Sequence, residues 1–361
     1  MRSVPIRPVL VLGLALAATP GLVSAETVRT VRAELTGADA RNFAVENLLG
    51  TMRVSTGSGP SVEIVATVHA ETAELADAVR LEKVTGAPAA YRVRYPYDKV
   101  STFKYREPND GEDFGIFGWS SSSSYDYDGH HVKVNHGRGT RLYADLDVRV
   151  PAGSLQARFA SVLGLIDAEG LQGELEFRVA SADMRLRRLE GRLTLEGSSG
   201  DVRARDVKGT WSSDFSSGDC ELSGFEGDAL TLHTTSGDLR LRSIKAKRAD
   251  VQTTSGDVRL LDAELQELSA EASSGDVEFD SIGAALKDAR IRTSSGDVRL
   301  RLPESSAFDV DADQSSGDMD VRFSNGSEVS HRDRIVGYRH GTGGAHIRVR
   351  TSSGDLTVSP S

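Results

Sequence analysis

Thr254-Ser255-Gly256-Asp257-Val258-Arg259-Leu260 is the stretch whose reading decides the fold. The pattern Ser/Thr-Ser-Gly-Asp occurs eight times in the second half of the 361-residue chain. Its aspartates are Asp201, Asp219, Asp238, Asp257, Asp276, Asp297, Asp318 and Asp355, with successive spacings of 18, 19, 19, 19, 21, 21 and 37 residues. Near-constant spacing at this period is the mark of a solenoid, in which each repeat buries its apolar face against the next.

The residues one past each aspartate are Val202, Cys220, Leu239, Val258, Val277, Val298, Met319 and Leu356. Those three past it are Ala204, Leu222, Leu241, Leu260, Phe279, Leu300, Val321 and Val358, and the column between is polar. A period of two means a strand with one buried face. A second strand precedes each turn: Leu230 and Leu232 lead to Thr234, Ala249 and Val251 to Thr253, Ile347 and Val349 to Thr351. Each repeat is therefore strand, Gly-Asp corner, strand and a looser corner, where Ile244 and Ile282 fit as internal plugs.

At the corner, Gly200, Gly218, Gly237, Gly256, Gly275, Gly296, Gly317 and Gly354 allow positive φ or close backbone approach. The aspartate beside each can accept from nearby backbone amides. The expectation is an all-β chain: a parallel β-helix or β-roll solenoid of about 19 residues per coil with an atypical N-terminal capping region. An antiparallel sandwich is the competing architecture, but it does not explain the returning register.

Residues 1–25 read as a secretory signal: Arg2 and Arg7, the apolar stretch Val9 to Ala18, then small residues at Val23-Ser24-Ala25. Cleavage there makes Glu26 the first mature residue and the location periplasm, cell surface or medium, with no integral membrane segment remaining. Losing Arg2 and Arg7 takes Lys+Arg from 43 to 41 against 53 Asp+Glu, a formal charge of −12. Such a chain is repelled by nucleic acid on average. The single cysteine, Cys220, permits no internal disulfide and, from its place in the apolar column, reads as a structural thiol.

Before Ser198 the pattern is degenerate. The domain reading is signal 1–25, an atypical β and capping region 26–140, and the repeat solenoid 141–361. Thr72 to Val79 reads as a short helix. A polar, aromatic insertion spans 103–131, and a charged stretch from Glu328 to Arg339 reads as a loop protruding from one irregular rung before a final strand at Leu356 to Val358.

The chain resembles the bacterial DUF4097-type adhesin family with β-strand repeats. The likeness rests on the eight motif copies and on Asp147-Val148-Arg149-Val150-Pro151-Ala152-Gly153, which looks like the family's opening of the repeats. It covers about residues 40–359 and departs at 103–131 and 324–346. The resemblance implies an exported β-helical protein and transfers no catalytic residue.

No cofactor or metal site is expected. Calcium β-rolls repeat Gly-Gly-x-Gly-x-Asp every nine residues, and here one Asp serves each coil. His130 and His131 beside Asp126 and Asp128, with His136, could hold zinc, but strand neighbours point opposite ways. The insertion offers Tyr105, Phe114, Phe117, Trp119, Tyr125 and Tyr127 among carboxylates and hydroxyls, a contact set for an envelope protein or glycan, or a cover for the first coil. The reading is a noncatalytic exported envelope or cell-surface scaffold, adhesin-like and not an enzyme. The alternatives are a carbohydrate- or protein-binding module using the 103–131 loop, and a polysaccharide-active β-helix enzyme. The last needs carboxylates in contrasting environments, whereas the repeated aspartates look equivalent.

Overall fold

The computed structural model describes residues 26–84, 88–105, 122–283, 285–332 and 334–361; the leader expected at 1–25 lies outside them. The chain is mostly β, with extensive sheet pairing in the manner of a β-solenoid. The strands Cys220–Ser236, Leu239–Ser255 and Val258–Ser274 stack in parallel and in register. Cys220 lies on Leu239, Leu239 on Val258 and Val258 on Val277, and the column Leu222, Leu241, Leu260, Phe279 runs beside it. Both columns are buried, as the alternation requires, whereas Arg240 is exposed and Arg259 half-exposed between them. Each buried Val, Leu or Phe contributes about 1.5–3 kcal/mol relative to exposure.

The Gly-Asp corner is held by contacts between coils. Gly256 has φ 146°, and a Cβ there would collide with the carbonyl oxygen of Gly237 in the coil beneath. An inner threonine adds to the same corner: Thr253 Oγ1 donates to the Gly237 carbonyl at 3.2 Å. The aspartate accepts not from its own turn but from the next coil: the Asp257 N–H donates to Asp238 Oδ1 at 2.9 Å, and the Asp276 N–H to Asp257 Oδ1 at 3.0 Å.

The looser corner has a rule invisible in residue type. Five positions past the corner aspartate, Asp206, Ser243, Asp262 and Ser281 adopt left-handed φ of 53–58°. The next residue, Val207, Ile244, Ala263 or Ile282, is buried and plugs the bend. Variation in coil length collects at a third bend. Gly209 pairs with Gly227 but Thr210 with Ala229, so Asp228 is the added residue that lengthens 18 to 19. Lys247 and Gln266 follow it in register, and the 21-residue coil adds two more residues between Ile282 and Asp288.

At the amino-terminal end the parallel stack reaches back beyond residue 141. Asn42–Gly57 lies in register on Ser154–Glu169, although 96 residues separate them. The chain between folds over that end. Thr140–Pro151 pairs in parallel with the second half of Asn42–Gly57 and antiparallel with Val62–Ala70, which pairs with Thr27–Leu35. Ala89–Arg94 pairs with the first half of Asn42–Gly57 and with Arg80–Val84. The helix Ala73–Ala78 is capped by Thr72 Oγ1, which accepts from the Leu75 N–H, and buries Ala76.

The carboxyl-terminal order departs from the sequence reading. The last strands do not follow an irregular rung; they lie inside it. Ala345–Ser353 pairs on one side with Asp288–Ser295 and on the other with Phe308–Ser316. Leu356–Pro360 likewise separates Val298–Leu302 from Met319–Val321. The charged stretch expected to protrude is a hairpin, Ser327–His331 with Arg334–His340, whose second strand pairs antiparallel with Phe308–Asp311. The physical reason is that every rung carries the same corner, so the corner signature fixes how rungs stack and not which rung is next.

Gly256→Ala should cost about 3 kcal/mol or more, because the new methyl meets backbone that cannot move. Gly343→Ala, also at positive φ (73°) but with nothing within 4 Å, should cost only about 1–2 kcal/mol. Urea unfolding of both variants measures the difference, and equal costs would refute the close approach of the coils.

Candidate functional site

The corner forms a continuous ladder of aspartates. Asp201, Asp219, Asp238, Asp257, Asp276 and Asp297 each donate their N–H to the carboxylate of the aspartate one coil back, at 2.8–3.0 Å. The Asp355 N–H then donates to Asp297, and the Asp318 N–H to Asp355, following the spatial order and not the sequence order. The ladder starts at Asp183, and the same device recurs where Asp145 accepts from the Thr51 N–H at 2.8 Å. Sequence reasoning missed both, because they follow alanine instead of glycine; the signal available was the register of the Met184–Leu186 strand.

Stacked carboxylates repel, and arginines offset the repulsion. Arg240 reaches Asp219 at 3.1 Å and Asp238 at 2.6 Å, while Arg299 reaches Asp276 at 2.7 Å and Asp297 at 2.9 Å. For Asp276, burial pushes the pKa up but is outweighed by Arg299 and the Asp297 N–H, which hold it below the usual carboxylate range. At Asp183 burial dominates and lifts the pKa to about 6. Asp201 is raised for the same reason. The carboxylates serve backbone and guanidinium partners.

Of the six aromatic residues singled out in the insertion, Phe114, Phe117 and Trp119 lie outside the described residues. Tyr105 and Tyr127 are turned inward, at 2% and 8% exposure, and Tyr125 packs against the core with part of its ring exposed. Tyr127 Oη donates to the Val93 carbonyl at 3.0 Å, its ring under Arg92. Tyr105 packs edge-on to Tyr143. Asn47, fully buried, donates to the Ala144 and Leu49 carbonyls and accepts from the Leu48 N–H and Tyr95 Oη, so both ends of this side-chain amide are satisfied where the first coil meets its cover.

Among the described residues no group of three or more His, Cys, Asp or Glu is placed so that it could hold an ion. His131 meets Asp126, while His130 stacks on Tyr97 with ring centroids 4.3 Å apart. Cys220 is buried, and burial pushes its thiol up to about 12, the setting of a structural thiol. His69 lies between Asp145 and Glu26, stacked on Tyr143; the hydrogen bond to Asp145 is the largest influence raising its pKa.

Residues 145–359 match the family described as Toastrack DUF4097. The chain belongs to that family. Among solved structures it is similar to a "Putative lipid binding protein" from Parabacteroides distasonis, at 10% identity over 92% of this chain and 96% of that one, with a TM-score of 0.41. It is also similar to a "putative adhesin" from Parabacteroides merdae, at 11% identity over 91% and 96%, with a TM-score of 0.41. A "putative cell adhesion protein" from Clostridium sporogenes aligns at 8% identity over 93% and 100%, with a TM-score of 0.19. No curated protein matches the chain.

Asp183 supplies a pH test of the ladder. Its folded pKa of about 6 lies above its ordinary 3.8, so the native state binds the extra proton between those values. Stability therefore falls as pH rises through that window and stays lowered at neutral pH. Asp183→Asn keeps an oxygen for the Asp201 N–H without the charge. It should raise the melting temperature at pH 7.5 and give no gain at pH 4; an equal effect at both values would refute the buried charge.

Proposed function

We propose that this chain is a noncatalytic, exported scaffold of the bacterial envelope or cell surface that acts as an adhesin-like binding protein. The observation that carries this reading is the use of the repeated carboxylates: each accepts the backbone N–H of the next coil and so joins coil to coil. On this reading the stacked coils form a parallel β-helix with Asn42–Gly57 as its first rung, the rest of 26–140 caps that rung, and 141–361 supply length. Among the described residues no helix is long and apolar enough to cross a membrane, and the leader-like residues 1–25 support export to the periplasm or beyond.

The partner is an envelope protein or glycan engaged through the 103–131 segment. Its composition supports this: Phe114, Phe117 and Trp119 sit in sequence among Asp110, Glu112, Asp113 and a serine run, a mixture suited to protein or sugar contacts. A sugar-binding role for that segment is the second reading, favoured by Trp119.

Mature protein screened against envelope proteins and glycans should retain a partner that is lost on deletion of 106–121 or in Trp119→Ala, with circular dichroism and melting temperature unchanged. Release of reducing ends from any polysaccharide in the screen would overturn the noncatalytic reading.

A further inference from the structure

His69 sits where the cap meets the stack. It lies on Val62–Ala70, between Thr27–Leu35 on one side and Thr140–Pro151 on the other. Its two ring nitrogens face two different carboxylates: Nδ1 is 3.0 Å from Glu26 Oε1, and Nε2 is 3.4 Å from Asp145 Oδ2. A carboxylate only accepts, whereas a neutral imidazole has one donor nitrogen and one lone pair. Only the imidazolium satisfies both contacts at once. The ring lies flat against Tyr143, with centroids 4.6 Å apart and planes 9° apart, a position that favours the cation. Val28, opposite His69 in register, brings no charge. Glu71, just past the strand, is occupied by Arg141, whose N–H it accepts at 3.0 Å. The two carboxylates are not equivalent. Asp145 is fixed, because its other oxygen accepts from the Thr51 N–H of the first coil. The Glu26 carboxylate has no further hydrogen bond or ion pair among the described residues. It precedes Thr27–Leu35, whose ladder among those residues is with Val62–Ala70 alone.

We propose that His69 is a proton-operated clasp: with both nitrogens protonated it ties the start of Thr27–Leu35 through the cap to Asp145 and the first coil, and on losing a proton it loosens that strand. The hydrogen bond to Asp145 is the largest influence on the ring; partial burial opposes the charge, and the charge of Asp145 and the contacts of Glu26 add to it, so the pKa is raised. Because the folded pKa lies above the ordinary 6.5, the clasp contributes fully below that value and is lost as pH rises through the folded one. The remaining ring proton stays with the fixed Asp145. The lone pair left on Nδ1 then faces the Glu26 carboxylate, two acceptors with no proton between them. The device is independent of which partner the chain binds.

Imidazole NMR and amide hydrogen exchange on the mature chain, followed from about pH 5 to 9, test the clasp. The His69 ring should titrate above 6.5. Over the same range the amides of Val28 to Val31 that bond to Val62–Ala70 should lose protection, after correction for the intrinsic rate. The loss should be about tenfold for each pH unit between 6.5 and the measured pKa of the ring. Amides in Leu239–Ser255 should keep theirs. His69→Gln should make protection at Val28 to Val31 independent of pH. Glu26→Ala, at the edge of the cap, should do the same with the ring still titrating above 6.5 through Asp145, and it carries the test if His69→Gln does not fold. A ring that titrates at or below 6.5 overturns the clasp, as does protection at Val28 to Val31 that does not change with pH in the native chain. In a mature chain starting at Glu26 the α-amino group also titrates, and Glu26→Ala retains it. A loss of protection that persists in that variant belongs to the amine and overturns the clasp as well.

Discussion

Everything in this molecule depends on the hydrogen bond from one corner amide to the aspartate of the coil beneath. A hydrogen bond to a charged acceptor contributes about 1.5–3 kcal/mol where it is sheltered and less where water competes. Its directional effect matters more. Because the donor is the N–H of the residue that itself supplies the next acceptor, each bond sets the register for the following one. A slip by one residue would break the ladder and turn every Val and Leu of the column outward. Glycine before the aspartate is the second half of the constraint, since the coils approach too closely there for a Cβ.

The same device explains the ends. Identical corners make rungs interchangeable as neighbours, so the stack can be completed out of sequence order. The final strands enter between two earlier rungs, and the hairpin before them covers the outer one. At the other end the chain leaves the stack after Gly57, builds a cover in which Ala89–Arg94 and Thr140–Pro151 lie parallel on that rung and pair antiparallel with strands further out, and returns at Ser154. Both excursions use antiparallel pairing, which shields the sheet edges that parallel coils expose.

The repeat, its apolar columns and the strand–corner–strand order were legible because a period of two and a period near 19 do not occur together by chance over eight copies. The short helix expected over Thr72 to Val79 is present as Ala73–Ala78. Asp145 and Asp183 were not, since alanine replaces the glycine that marks the motif. The left-handed bend at Ser243 or Asp262 was hidden by changing residue type. The nesting of the last rung could not be read at all, because a spacing of 37 is compatible with either order. For the aromatic segment, composition identified a cluster but not direction: Tyr105 and Tyr127 point inward.

Amide hydrogen exchange on an Asp238→Ala variant, residue by residue, tests the ladder most directly. The account predicts that the Asp257 amide, which donates to Asp238 in the native chain, loses protection, and that the Asp219 amide, whose acceptor is Asp201, keeps it. Unchanged protection at Asp257, or an equal loss at both amides, would contradict it.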